Sequence, residues 1–265
     1  MSLLRRLFRR EMPRGVPNQA LVMVLLGDDD SFGATAALDY LAAHWTDLPS
    51  VAGRDGQDAA TVANIPGGMI GLVHVPMPVP AGDLDGPVAV AWHWPAAAQV
   101  VPTHRAHVIV HAGSTTLDAL DVRLLLTKLA ASVLSVSDGV GVHVGDAMLV
   151  RSAADYMSDA AQASRDNLPI LSWVGFNPVR EDDRLSAYTT GLTAFGLHEL
   201  EVRGSALTPP ELFGTLADIA NYELSTGRVL NDGDTFGASE SDRRRVRYRP
   251  SAFIPDTTVA ALELP

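Results

Sequence analysis

The stretch Thr190-Gly-Leu-Thr-Ala-Phe-Gly-Leu-His-Glu-Leu-Glu201 decides the fold. Apolar residues alternate on both sides of a glycine break, which is typical of two strands joined by a turn. The pattern predicts a strand over residues 185–195, a break at Gly196 and a second strand over residues 198–203. We therefore expect a hairpin at this point in the chain.

Two carboxylates share one face of the second strand. Glu199, Glu201 and Arg203 point the same way, because alternate residues of a strand lie on one face and about 6.6 Å apart. Carboxylates at this spacing suit a divalent cation or a basic partner. Alternation alone also explains them, as the polar outer face of a half-buried strand whose Arg203 offsets Glu201.

The elements around this hairpin predict the fold class. Thr208-Pro-Pro-Glu211 is a capping box with proline in the first turn, and Gly227 ends the helix that it starts. Upstream, the patterns predict strands over 21–27, 60–65, 69–75, 104–111, 140–144 and 170–176, helices that follow caps at Ser31 and Thr116, and a helix over 152–164. This order favours an α+β fold with mixed or antiparallel sheets and helices packed on one face, arranged as two split-βαβ (ferredoxin-like) units.

Three segments follow from this interpretation: a basic tail over residues 1–17, an α+β half over 18–103 and an α+β half over 104–265. Residues 2–10 set leucines and Phe8 against four arginines, which is typical of an amphipathic helix that touches anionic lipid or a partner; a frayed tail is the alternative. The acidic run at residues 28–30 argues against a signal peptide. No apolar run reaches the ~20 residues that span a bilayer.

The composition of the chain disfavours some classes of function. The chain has 265 residues, 47% of them hydrophobic, a net charge of -11 and no cysteine. The acidic balance disfavours nucleic-acid binding, which needs a basic stripe, and the missing cysteine excludes disulfides and suits a cytoplasmic protein. Lys128 is the only lysine, and its place inside a helix predicts a solvated side chain.

Two further groups bear on metal binding. Asn231-Asp-Gly-Asp-Thr235 offers oxygen ligands but lacks the spacing of a calcium loop, so a turn is the better interpretation. His107 and His111 share a strand face about 13 Å apart, too far for one ion, and His104 lies on the other face from His107. We expect no metal and no cofactor.

Several of these positions together carry a family resemblance: Trp94-Pro95, His104-x-Ala-His107, Trp173, Thr190-Gly-Leu192, Phe195-Gly196-x-x-Glu199-Leu-Glu201 and Gly233-Asp234-Thr235. The chain resembles the bacterial domain-of-unknown-function family 4261. The resemblance implies a soluble, cytosolic bacterial protein with no agreed enzyme activity or cofactor. It also implies that some relatives act in toxin–immunity settings.

These observations lead to two hypotheses. The first is a non-enzymatic protein-binding module, of the immunity type, that presents an acidic face to a basic partner surface. The alternative is a metal-dependent, hydrolase-like enzyme that uses Glu199 and Glu201 with His107 or His198. The candidate functional surface consists of Glu199, Glu201, Thr190, Asp232, Asp234, Trp173 and His107.

Overall fold

The computed structural model describes residues 18–28, 32–57, 59–80, 82–181, 183–237 and 243–264. The predicted helix over residues 2–10 and the predicted cap at Ser31 lie outside these ranges. The chain forms two compact units: the first comprises Met1–Val79 and Thr103–Val142, the second Pro80–Pro102 and His143–Pro265. The halves expected from the sequence, 18–103 and 104–265, are each continuous, whereas each of these units consists of two separate segments of the chain.

The bounds of the elements are as follows. The helices are α1 (Ala34–His44), α2 (Asp85–Ala89), α3 (Ala97–Val100), α4 (Ala119–Ser135), α5 (Ala153–Gln162), α6 (Ile170–Trp173) and α7 (Pro209–Thr226). The strands are β1 (Asn18–Leu26), β2 (Ala52–Gln57), β3 (Ala60–Ile65), β4 (Gly68–Val75), β5 (Ala106–Ser114), β6 (Gly139–Val144), β7 (Leu149–Ser152), β8 (Gly175–Glu181), β9 (Arg184–Thr190), β10 (Leu200–Ser205), β11 (Thr235–Phe236), β12 (Arg244–Pro250) and β13 (Thr258–Leu262). None of the helices in the described ranges is long and apolar enough to cross a membrane.

The first unit is a sheet with the strand order β2-β3-β4-β5-β1-β6. β1 and β4 both run antiparallel to β5, which lies between them. They are therefore parallel to each other, and α1 lies in the connection that joins them, as a split-βαβ arrangement requires. α4 packs against α1 and covers β1 and β5, so β5 is buried along its whole length.

The second unit holds a sheet with the order β11-β12-β13-β10-β9-β8. β10 and β13 are parallel and directly adjacent, whereas the other neighbours are antiparallel. A split-βαβ unit needs a strand between its two parallel strands, and none lies between β10 and β13. Of the two predicted split-βαβ units, the described residues therefore form only the one in the first unit. The predicted α+β class is confirmed.

Local hydrogen bonds explain which elements were predicted correctly. Both bonds of the capping box are formed at the start of α7, and Gly227 ends the helix in the left-handed conformation at φ 67°. The Thr116 cap was wrong: the side chain of Asp118 accepts from the Asp121 amide at 2.9 Å, while Thr116 donates to the Pro66 carbonyl.

Two other predictions need correction. The strand expected over 170–176 begins as helix α6, because the Val174 amide donates to the Ile170 carbonyl at 2.9 Å. The strand expected to reach Phe195 ends at Thr190, where Gly191 adopts φ 105° and a short 3₁₀ turn follows. A side chain at this glycine would collide with the Trp173 carbonyl oxygen at 2.7 Å.

Lys128 is not solvated. Its side chain is 4% exposed on α4, and its Nζ lies 2.5 Å from Asp47 Oδ2. The ammonium also lies 5.2 Å from the centre of the Trp45 ring. The acidic partner and the aromatic ring follow α1 in the chain, so the lysine joins α4 to the end of α1 instead of reaching water.

Candidate functional site

Glu199 is a buried carboxylate that closes the turn after β9. The residue is 3% exposed. One carboxylate oxygen accepts from the Thr189 hydroxyl at 2.8 Å, and the other accepts from the amides of Gly191 and Thr193 at 2.9 and 3.0 Å. Thr189 lies at the end of β9 and the two amides lie in the turn that follows, so this carboxylate serves the fold and does not lie on an acidic outer face.

Glu201 is also withdrawn from the surface, with 0% exposure. One oxygen accepts from the Ser251 hydroxyl at 2.6 Å and from the Ala252 amide at 3.0 Å. The other lies 3.5 Å from an Arg249 nitrogen. The expectation that Glu199 and Glu201 share an exposed acidic face is therefore wrong: they share a face, but segments 191–193 and 251–252 cover it.

Asp232 and Asp234 form a turn along the outer edge of β12. Asp232 Oδ1 accepts from the Tyr248 amide at 2.9 Å, and Asp234 Oδ2 accepts from the Asn231 amide at 2.8 Å. Both backbone groups of Val246 bond to the same turn: its amide donates to the Asp234 carbonyl at 2.9 Å, and its carbonyl accepts from the Gly233 amide at 3.0 Å. The two aspartates are exposed, but their oxygens organise their own turn and the edge of the neighbouring strand.

Thr190 and Trp173 are interior residues of the second unit. The Thr190 hydroxyl donates to the Ala147 carbonyl at 2.5 Å, and Trp173 is 2% exposed with its ring 5.6 Å from that of Phe195. These contacts fix the hairpin in place. Neither side chain offers a surface to a partner.

His107 lies in the first unit, where its Nδ1 is 2.9 Å from the Met77 carbonyl oxygen. Burial lowers the pKa of His107, and the nearby His104 and His74 lower it further. Over the described parts of the chain, no group of three or more histidine, aspartate and glutamate side chains is placed to hold a metal ion.

A basic strand is the most strongly charged feature of the second unit. β12 reads Arg244-Arg-Val-Arg-Tyr-Arg249 and follows Arg243. Val246 is fully buried, and alternation places Arg245 and Arg247 on the opposite, exposed side. Neither of these two arginines pairs with a carboxylate of the described residues.

Three adjoining hollows surround β11, and Thr235 borders all of them. The first, about 640 Å³, lies between α7 and the end of the sheet and is lined by apolar side chains such as Ile219, Tyr222 and Phe236. The second is bordered by Arg228, Val229 and Asp234, and the third by Arg243, Arg244, Arg245 and Glu263. Tyr222 and Val229 are 41% and 42% exposed, which leaves apolar surface beside arginines.

These hollows fall almost entirely in a stretch that has known relatives. Residues 188–263 match the family model described as Domain of unknown function (DUF4261). The stretch belongs to this family. The DUF4261 match confirms the resemblance predicted from the sequence. The matched stretch contains α7, β11 and β12 as well as the turn that joins β9 and β10. No curated protein and no solved structure matches the chain.

The arginines of β12 were missed at the sequence level, although a signal existed. Five arginines in the seven residues from Arg243 to Arg249 are a basic stripe in a chain of net charge -11. The overall charge concealed this stripe, because it averages over the acidic remainder of the chain. Within the DUF4261 stretch, the surface around β11 and β12 thus combines arginines with exposed apolar side chains.

Proposed function

We propose that this protein is a protein-binding module and that it captures an acidic segment of a partner protein on the surface around β11. The observation that carries the proposal is the position of exposed Tyr222 and Val229 beside Arg228, with Arg245 at an adjoining hollow. Tyrosine and arginine are the residue types that most often dominate binding energy at protein interfaces. An apolar cleft next to cationic side chains suits a segment with apolar and acidic residues.

The charge of this surface reverses the partner expected from the sequence. A basic partner would need an exposed acidic face, and Glu199 and Glu201 are buried. The immunity-type role implied by the family resemblance is one setting for such a module. A bacterial, cytoplasmic origin and a contact of residues 2–10 with anionic lipid stay predictions.

The metal-dependent enzyme is less well supported. Glu199 uses both carboxylate oxygens for three internal hydrogen bonds, which leaves little capacity for a metal or a substrate. One oxygen of Glu201 accepts from Ser251 and Ala252, and the other is fully buried and lies 3.5 Å from an Arg249 nitrogen. The binding hypothesis uses residues that are exposed, such as Tyr222 and Val229, whereas the enzyme hypothesis depends on the buried Glu199 and Glu201.

The proposal is tested with a fluorescent peptide that alternates leucine and glutamate, titrated with the full chain and followed by anisotropy. We expect Tyr222→Ala and Arg245→Glu each to weaken binding about 10-fold or more, the loss typical of an interface anchor. Arg203→Glu is the matched control, since Arg203 is exposed on β10 and borders none of the three hollows. A peptide with lysine in place of glutamate should not bind. Equal binding of the two peptides, or an unaffected Tyr222→Ala variant, would overturn the proposal.

A further inference from the structure

We infer that the captured segment binds as an additional β-strand beside β11, and that it alternates apolar and acidic side chains. This inference rests on the proposed function and specifies its binding mode. Strand addition uses main-chain hydrogen bonds for affinity and the alternating side chains for specificity.

The hydrogen bonds of the edge show where a strand can be added. β11 ends the strand order of its sheet, and no strand of the described residues pairs with its outer side. The Val246 amide donates to the Asp234 carbonyl, and Thr235 lies opposite Arg245. Because bonded positions alternate in an antiparallel pair, Thr235 directs its own amide and carbonyl away from β12.

The rest of the same edge is already occupied. Asp232 accepts from the Tyr248 amide, and the turn over residues 231–234 binds both backbone groups of Val246. Among the described residues, no strand pairs with the outer side at Thr235 or, two residues further on, at Gly237, which is also exposed, so we place the added strand there. The turn over residues 231–234 therefore covers the outer edge of β12 and leaves only the edge from Thr235 onward for an added strand.

The two sides of this edge differ in chemistry. By the strand register, Phe236 and Arg244 point to one side, which holds the cleft with Ile219 and Tyr222, and Thr235 and Arg245 point to the other, next to Glu263. Thr235 and Arg244 border hollows on both sides. Successive side chains of an added strand point to opposite sides. Every second residue of the segment would enter the apolar cleft, and the residues between would meet the arginine side.

The occupant is identified by charge complementarity. Three consecutive arginines and one glutamate border the hollow on the arginine side, so carboxylates or phosphates are the groups that it favours. The same charge disfavours the chain's own arginine-rich segment, residues 1–17. A segment of a partner protein that alternates apolar and acidic residues meets both requirements.

N-methylation of the peptide backbone tests the inference. Two forms of the leucine–glutamate peptide carry N-methyl groups on alternate residues, in opposite phases. One phase removes the amides that face β11, and the other removes amides that face solvent. We expect one phase to lose binding about 10-fold or more and the other to bind nearly as the parent does, while a block peptide of the same composition binds weakly.

Each outcome decides between the two proposals. Equal binding of both N-methylated forms would overturn strand addition and leave the binding module intact, provided that the parent peptide binds. Failure of the parent peptide would overturn both. Sedimentation of the free chain completes the test: a stable dimer without peptide binding would assign the edge to a second copy and overturn the inference.

Discussion

At the scale of single residues, Glu199 shows how one carboxylate can hold a turn. It accepts hydrogen bonds from a hydroxyl and two backbone amides, with donor–acceptor distances of at most 3.0 Å. Bonds to an ionised acceptor are about twice as strong as neutral ones, and a buried donor that loses its acceptor is costly. The turn that carries Gly191 and Leu192 therefore depends on a negative charge that is hidden from solvent.

We predict that Glu199→Gln lowers the free energy of unfolding by about 2 to 3 kcal/mol, because a side-chain amide offers only one acceptor oxygen to the three donors. Urea denaturation measures the change. Glu263→Gln, at an exposed position, is the control and should alter stability by less than about 0.5 kcal/mol. An unchanged stability of Glu199→Gln would contradict the structural role.

At the scale of elements, Lys128 connects α4 with the segment that follows α1. Its side chain is buried, whereas that of its partner Asp47 is 59% exposed. Water can therefore hydrate the aspartate when the lysine is absent. The packing of the lysine stem and its contact with Trp45 should then matter more than the charge pair.

Two substitutions of Lys128 should therefore destabilise the chain to different extents. Lys128→Met keeps the volume and should change the free energy of unfolding by less than about 1.5 kcal/mol. Lys128→Ala leaves a cavity and should cost about 2 kcal/mol or more. Thermal or urea denaturation of both variants distinguishes them, and equal losses would show that the ion pair, not packing, stabilises this junction.

The elements also show what sequence patterns can predict. The start and end of α7 were predicted correctly, because a capping box and a left-handed glycine form their bonds within one helical turn. Residues 170–176 were assigned wrongly, since a short apolar run suits a buried strand and a buried helix equally well. Alternation placed Glu199 and Glu201 on one face but could not tell that distant segments cover it.

The candidate site was harder to predict than the fold. Alternation along β12 shows which arginines share a side, and this much was readable from Arg243 to Arg249. That β11 ends the sheet, and that the turn at Asp232 blocks the remaining edge, depends on strand order. Strand order is set by contacts between residues far apart in the chain, which periodicity does not report.

At the scale of the whole molecule, buried histidines make stability depend on pH. Burial is the largest cause that lowers the pKa of His107 and His111 in the first unit and of His93 and His143 in the second, from an ordinary value of 6.5. Because the pKa of each ring is lower in the folded chain, the unfolded chain binds more protons at these rings once the pH falls to about 6.5. Unfolding therefore takes up protons below about pH 6.5, and stability falls as the pH falls through this range.

We predict that the urea midpoint decreases between about pH 7 and pH 5, and that His107→Asn makes the decrease smaller. Asparagine places an amide where the ring nitrogen contacts the Met77 carbonyl, so the contact is kept while the titration is removed. Arg203→Gln, at an exposed position and without a group that titrates in this range, should leave the slope unchanged. A slope that is the same for His107→Asn and the unaltered chain would contradict the prediction.

The interleaved order of the two units determines how the chain can be divided. The first unit spans Met1–Val79 and Thr103–Val142, so a cut anywhere between residues 80 and 102 places β1 and its neighbour β5 on separate fragments. The family match begins at residue 188, inside β9, and so omits β8. A fragment restricted to residues 188–263 would leave the outer side of β9 unpaired, and proteolysis should not release it as a stable piece. The family boundary marks shared sequence, whereas the folding unit begins well before it.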